Sequence, residues 1–276
     1  MEEKDWCQMN FPNAKALILN FSSSEYFLPP FMQSMHKLKV LIIVNHNSKR
    51  ATLKGISVLS SLTRLKVVRL ERVIVPPLQE YCQSWKKIEK LSLVLCEGCG
   101  NTTGLHMGVD LNFPYLLEFV VDHCSDLREL PTSICNLTTL KRLSVTNCHD
   151  LHKLSDDIGN LSSLQMLKLY AFPSLKELPH SICKLRQLQF LDISLCGYLK
   201  QLPDQLGQLS SLKELDMREC SRVKQLPKSA SDLKSLVHVI CDEKIGHQWS
   251  SIKASTIPRL WVEVAEEHFH LDWLED

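Results

Sequence analysis

From Leu116 onward the apolar residues recur in a fixed frame. Units open at Leu116, Leu140, Leu164, Leu188, Leu212 and Leu236, a period of 24. Two of them read "LKRLSVTNCHDLHKLSDDIGNLSS" and "LQFLDISLCGYLKQLPDQLGQLSS". The shared frame is LxxLxLxxCxxLxxLPxxIxxLxx. Its opening alternates apolar and polar positions, which predicts one short strand per unit with every second side chain turned inward. The later apolar positions, such as Leu151, Leu154, Ile158 and Leu161, predict filler behind that strand. Pro131, Pro179, Pro203 and Pro227 fix φ and end any strand tendency there. Before Leu116 the pattern persists but drifts: Ala14, Leu38, Leu65 and Ile88 open similar stretches, spaced 24, 27 and 23, then 28 to Leu116.

A unit of this size cannot bury its own apolar stripe, so the units must stack. The frame is that of a leucine-rich repeat. The expected fold is an α/β solenoid, a horseshoe with a parallel β-sheet on the concave side and an irregular, 3-10 or helical convex side. The expected divisions are 1–13 as lead-in, 14–115 as irregular repeats, 116–245 as regular repeats and 246–276 as a C-terminal cap. Within the cap, Phe269, Leu271 and Trp273 alternate with His268, His270 and Asp272, the period of a half-buried strand.

Cys124, Cys148, Cys196 and Cys220 share one frame position, with Phe172 filling it in the third unit. Other leucine-rich repeats place Asn there. A thiol is small and tolerates burial, so these five residues are expected to form an internal structural ladder. Adjacent rungs such as Cys124 and Cys148 stand near enough for a bridge to be conceivable. Cys96 and Cys99 form a CxxC with His106 nearby, but no second ligand pair follows, so a solvent-exposed loop is the expectation there and no metal site is. The paired histidines His268 and His270 likewise lack partners to complete a shell.

With 32 Lys+Arg against 31 Asp+Glu, no global pull toward nucleic acid or an anionic membrane arises, and partners must be sought on local surface. The chain opens without a basic segment followed by an apolar run, and no window is long and apolar enough to span a bilayer. The 11 cysteines then read as thiols rather than disulfides. The sequons at Asn20, Asn101, Asn136 and Asn160 carry little weight in a chain this rich in Ser, Thr and Asn. No phosphate loop, GxSxG, HExxH or kinase motif occurs, so an enzyme is not expected.

What remains is the concave surface. Alternation turns Glu118, Asp122, Arg142, Met166, Lys168, Tyr170, Phe190, Asp192, Glu214 and Arg218 toward solvent as candidate protein-binding residues. Met166, Tyr170 and Phe190 are large groups on neighbouring rungs, flanked by acids, which is the composition of a binding hot spot. Cover by a neighbouring domain, or scattered surface apolars, remain open as alternatives.

The LPxxI turns, ladder cysteine and 24-residue period together resemble the repeat region of plant intracellular nucleotide-binding leucine-rich-repeat immune receptors. "VEVAEEHFHLDWLED", Val262 to Asp276, looks like the C-terminal tail of their helper subclass. "FPNAKALILNFSSSEYFLPPFMQSMHKLKVLIIVNH" is similar to the start of that subclass's repeats. The resemblance implies a non-catalytic interaction module in plant defence, acting in the cytoplasm, cut from a receptor whose helical signalling and nucleotide-binding domains are missing here. ADP/ATP switching belongs to that upstream domain, so no cofactor is expected in this chain. The implied partners are lipase-like immune regulator heterodimers or the switch domain of related receptors. A substrate-recognition repeat of a ubiquitin ligase adaptor and an extracellular receptor ectodomain stay open as rival readings.

Overall fold

The computed structural model describes residues 6, 9–81, 83–99, 113–130 and 132–265. The alternating openings form an 11-stranded parallel sheet. Its strands are Ala16–Phe21, Val40–Asn45, Val67–Glu71, Lys90–Val94, Glu118–Asp122, Arg142–Thr146, Met166–Tyr170, Phe190–Asp192, Glu214–Met217, His238–Cys241 and Trp261–Val264, each paired with its sequence neighbour. Register follows the repeat, since Leu143 faces Leu167 and Leu167 faces Leu191. The irregular part keeps the offsets read from sequence: Ala16 pairs Val40, Val40 pairs Val67, Val67 pairs Lys90 and Lys90 pairs Glu118.

Alternate strand residues fill the interior. Leu143, Val145, Leu167, Leu169 and Leu191 are fully buried, and Leu151, Ile158 and Leu161 meet them from behind. Each such side chain contributes about 1.5–3 kcal/mol by leaving water. After the ladder position the chain crosses to the convex side, where proline sets the start of short 3-10 turns. Pro179 (φ −63°) precedes His180–Lys184, and Pro227 (φ −64°) precedes Lys228–Asp232. These turns stack closely: a Cβ on Gly207 would lie 2.2 Å from the Ser229 carbonyl oxygen, so only glycine fits.

Three features go beyond the sequence reading. A second parallel sheet, Glu25–Phe27, Ala51–Lys54 and Val73–Ile74, runs beside the main one in the irregular repeats, one short strand in each of three successive units. The helix Glu243–Ser255 follows the last regular repeat and buries Ile245 and Trp249. After it, Trp261–Val264 adds one further rung, with His238 opposite Trp261, so the sheet continues past the frame that ends at Leu236. Phe269, Leu271, Trp273, His268 and His270 lie outside the described residues.

The ladder has a backbone cause. Seven described non-glycine residues adopt left-handed φ, from 52° to 61°: Arg72, Leu95, His123, Asn147, Ala171, Leu195 and Glu219. Each immediately precedes a buried rung residue, namely Val73, Cys96, Cys124, Cys148, Phe172, Cys196 or Cys220. The conformation costs an L-residue free energy, yet it swings the next side chain inward and aims its own N–H at the following rung. Leu95 N–H donates to Asp122 O (2.8 Å), His123 to Thr146 O (3.0 Å) and Asn147 to Tyr170 O (3.0 Å). At the end of the series Glu219 N–H donates to the Asp242 carboxylate instead (2.7 Å).

Candidate protein-interaction surface

The ladder thiols are fully or almost fully buried, and so is Phe172. Each S–H has a carbonyl within reach: Cys148 Sγ lies 3.3 Å from Thr146 O, Cys196 Sγ 3.4 Å from Leu169 O and Cys220 Sγ 3.1 Å from Ile193 O. Burial pushes the thiols of Cys96, Cys148 and Cys241 up to about 12, and those of Cys135, Cys183 and Cys196 to about 11. They are therefore protonated near neutrality, the wrong state for nucleophiles or metal ligands. Cys96 and Cys99 belong to this interior too, which corrects the expectation of an exposed loop; His106 lies outside the described residues. Cys96 occupies the rung position of the unit opening at Ile88. One earlier unit keeps asparagine in this role: buried Asn45 donates from Nδ2 to Lys49 O (2.8 Å) and Arg72 O (3.1 Å), and its Oδ1 accepts from Ser23 and Asn47 N–H. Among the described residues no group of three or more His, Cys, Asp and Glu stands close enough to hold a metal ion.

The chemistry exposed to solvent sits on the concave face. At one end Glu118 is clamped between Lys90 Nζ (2.6 Å) and Arg142 Nε (3.4 Å) on the adjacent strands. Next to it, burial raises the Asp122 carboxyl, but donors from Thr146 (2.5 Å), Asn147 (2.9 Å) and His123 (3.0 Å) outweigh that and hold it below the usual carboxylate range. In the middle, Met166 is 36% exposed, while Phe190 and Tyr170 are half-buried. Lys168 Nζ bridges to Asp192 Oδ2 (3.2 Å) and stands 5.0 Å from the Tyr170 ring centre.

Asp192 departs from expectation. It points to the concave side as alternation requires, but it is only 3% exposed. Its Oδ1 accepts from the Ser194 N–H (3.0 Å) and hydroxyl (2.5 Å), and Lys168 covers Oδ2. Asp216, on the next rung, is buried the same way beneath Arg218, whose Nη2 and Nε donate at 2.6 and 3.0 Å. That contact raises the Arg218 pKa further. Asp192 and Asp216 thus fix their neighbours and leave Lys168 and Arg218 facing outward. Glu214 is exposed.

The candidate residues read from the sequence stop at Arg218 and miss the end of the surface. Trp261 is 60% exposed and stacks on the His238 imidazole, ring centres 4.3 Å apart and planes 9° apart. His238 Nε2 is in turn 3.1 Å from Glu263 Oε2. By register Met166, Phe190, Glu214, His238 and Trp261 form a single row across five strands. Four strand spacings of about 4.8 Å make that row about 19 Å long. A pocket lined by Asp156, Glu177, His180 and Gln201 encloses ≈ 110 Å³. That is well below the roughly 300 Å³ at which small-molecule sites begin, so the concave row is the stronger recognition feature. None of the described helices is long and apolar enough to cross a membrane.

The chain's likenesses agree with this architecture. Residues 131–201 match the family described as Zer-1-like, leucine-rich repeats. Over all 276 residues the chain is 47% identical to Disease resistance protein ADR1 of Arabidopsis thaliana, and covers 35% of that protein. It is 45% identical over 145 residues, 52% of its own length, to Probable disease resistance protein At4g33300 of the same plant, covering 18% of it. The chain thus spans about a third or less of these relatives. Among solved structures, the leucine-rich repeat domain of the type III effector XCV3220 (XopL) superposes with TM-score 0.63 at 20% identity, over 95% of this chain and 78% of that one, which is a likeness of fold. Repeat frame and sheet make this chain a leucine-rich-repeat region, and over its whole length it is similar to part of a plant disease resistance protein.

Proposed function

We propose that this region is a non-catalytic docking module of a cytoplasmic defence receptor and that its partner seats on the concave row from Met166 to Trp261. The observation that carries the reading is the row itself: an exposed indole, a half-buried Phe and an exposed Met in one register, with Glu214 and His238 between them and with Lys168 and Arg218, held by buried carboxylates, at its border. Large flat apolar groups inside a ring of fixed charge are what interface hot spots are made of. The resemblance to helper receptors points to lipase-like immune regulator heterodimers as the partner, with the switch domain of related receptors as the other candidate. Nucleotide chemistry, on this reading, belongs to the switch domain and not to these repeats.

Titration calorimetry against a purified lipase-like heterodimer tests the assignment. Phe190→Ala and Trp261→Ala are expected to weaken binding by at least about tenfold each, the loss usual for an aromatic hot spot, with unchanged melting curves. Unaltered affinity in both would move the site elsewhere.

A further inference from the structure

The near-zero net charge of the chain conceals a strongly basic edge. On the side where strands begin, backbone hydrogen bonds stack the residues just before each strand: Lys39 N–H donates to Lys15 O, Lys66 to Lys39 O and Glu89 to Lys66 O, each at 2.8 Å. Lys15, Lys39 and Lys66 therefore form one column, with Glu89 paired to Lys66 at its end. Two residues upstream in the last three of these rungs stand Lys37, Arg64 and Lys87, a second column alongside that begins at Asn13, and Lys86 precedes the last of them. Lys15, Lys37, Lys39, Arg64, Lys86 and Lys87 are all exposed. None makes an ion pair with a described residue, and Lys37 Nζ donates only to the neutral Asn13 Oδ1 (2.7 Å), in contrast to the concave face, where most charges have a fixed partner. In later rungs the first column alternates between lysine and neutral residues, Lys141, Gln165, Gln189 and Lys213, while the second column turns wholly neutral at Thr139, Ser163, Gln187 and Ser211. Exposed aromatics flank the basic stretch: Phe11 (46% exposed) at its start and Tyr115 (62%) in the rung after it.

We infer that this edge docks on an anionic membrane surface. Unpaired ammonium and guanidinium groups in two parallel columns suit a fluid sheet of headgroups, which supplies negative charge without requiring matched positions. Such juxtamembrane basic clusters gain affinity additively, charge by charge, within a Debye length of the lipid. Tyr115 is of the type that settles at the headgroup level, and Phe11 is an apolar ring of the kind that buries at that boundary. A structured protein partner would instead call for oriented carboxylate-held cations of the kind seen at Arg218 and Asp216. The inference uses a different face from the concave row and stands or falls separately from the docking function.

Vesicle flotation of the full chain tests it, with phosphatidylcholine alone and with about 30 mol% phosphatidylserine added. Binding is expected only with the anionic lipid and is expected to fade as salt rises from about 0.1 to about 0.5 M. Lys39→Glu with Lys87→Glu should lower partitioning by at least about tenfold. Lys184→Glu with Lys228→Glu, on exposed convex turns, makes the same change in net charge and should leave it nearly intact. Thermal melts establish that both double variants are folded. Failure to float with anionic vesicles, or equal loss in the two double variants, overturns the inference.

Discussion

Leu195 holds φ at 58° so that Cys196, the next residue, turns its thiol into the interior, 3.4 Å from the carbonyl of Leu169 one rung back. The same left-handed step recurs before each buried rung from Val73 to Cys220, and six of the seven steps send their own N–H to the following rung's backbone. Conformational cost at one residue is thus exchanged for register between two coils.

Glu219 is the clearest place to weigh that cost, because it is exposed at φ 56°. Glu219→Gly should stabilise or be neutral, by up to about 1 kcal/mol, since glycine enters this region without steric penalty. Glu219→Val should destabilise by about 1–3 kcal/mol, because a β-branched residue is strained there. Urea midpoints of the two variants read the difference, and the same sign for both would remove the strain argument.

Gly207 lies where two convex turns nearly touch. Its N–H accepts no slack either, donating to Ser229 Oγ at 3.1 Å, while Ser229 Oγ donates to Asp204 O at 2.7 Å. Gly207→Ala should cost about 1–3 kcal/mol by overpacking against backbone, measured by denaturant melting. Substituting alanine at exposed Gln208 provides a comparison expected to change stability by less than about 0.5 kcal/mol.

Leu191 is fully buried in the centre of the sheet between Leu167 and Leu215. Leu191→Ala should cost about 2–5 kcal/mol. Because each coil contacts only its neighbours, hydrogen exchange should show lost protection concentrated in the rungs around it rather than spread evenly over the solenoid.

The buried thiols give the fold a pH signature. Their ordinary value is 9.0 and the folded values reach about 11 to about 12 for Cys96, Cys135, Cys148, Cys183, Cys196 and Cys241. The folded state keeps its protons where the unfolded state loses them, so stability contributed by these groups is intact below 9 and declines from there toward 12. Urea midpoints should fall across that window, and a Cys196→Ala variant should show a shallower fall. Denatured without reductant, the chain should titrate all 11 cysteines as free thiols; a shortfall would show disulfides.

The solenoid was legible because its period is strict: Leu143, Leu167 and Leu191 occupy one frame position and meet in register. The direction of each concave residue was legible for the same reason. Depth was not, since alternation places Asp192 on the right face but carries no sign that Ser194 and Lys168 will enclose it. The left-handed steps left no glycine to mark them, being taken by residues such as Leu95, Arg72 and Glu219. Cys96 reads as part of an exposed loop because the long, irregular stretch after it hides its rung position. The helix Glu243–Ser255 did carry a signal, Ile245, Trp249 and Ile252 at helical spacing, which the end of the repeat frame obscured. The second sheet has no periodic trace, since its strands lie in units of unequal length.

The central claim is that a protein partner seats on the concave row, and proximity crosslinking reads it most directly. With p-benzoylphenylalanine in place of Phe190 and, separately, of convex Lys184, light should join the first variant to a bound lipase-like heterodimer and leave the second unjoined. Crosslinks from position 184 with none from position 190 would contradict the account.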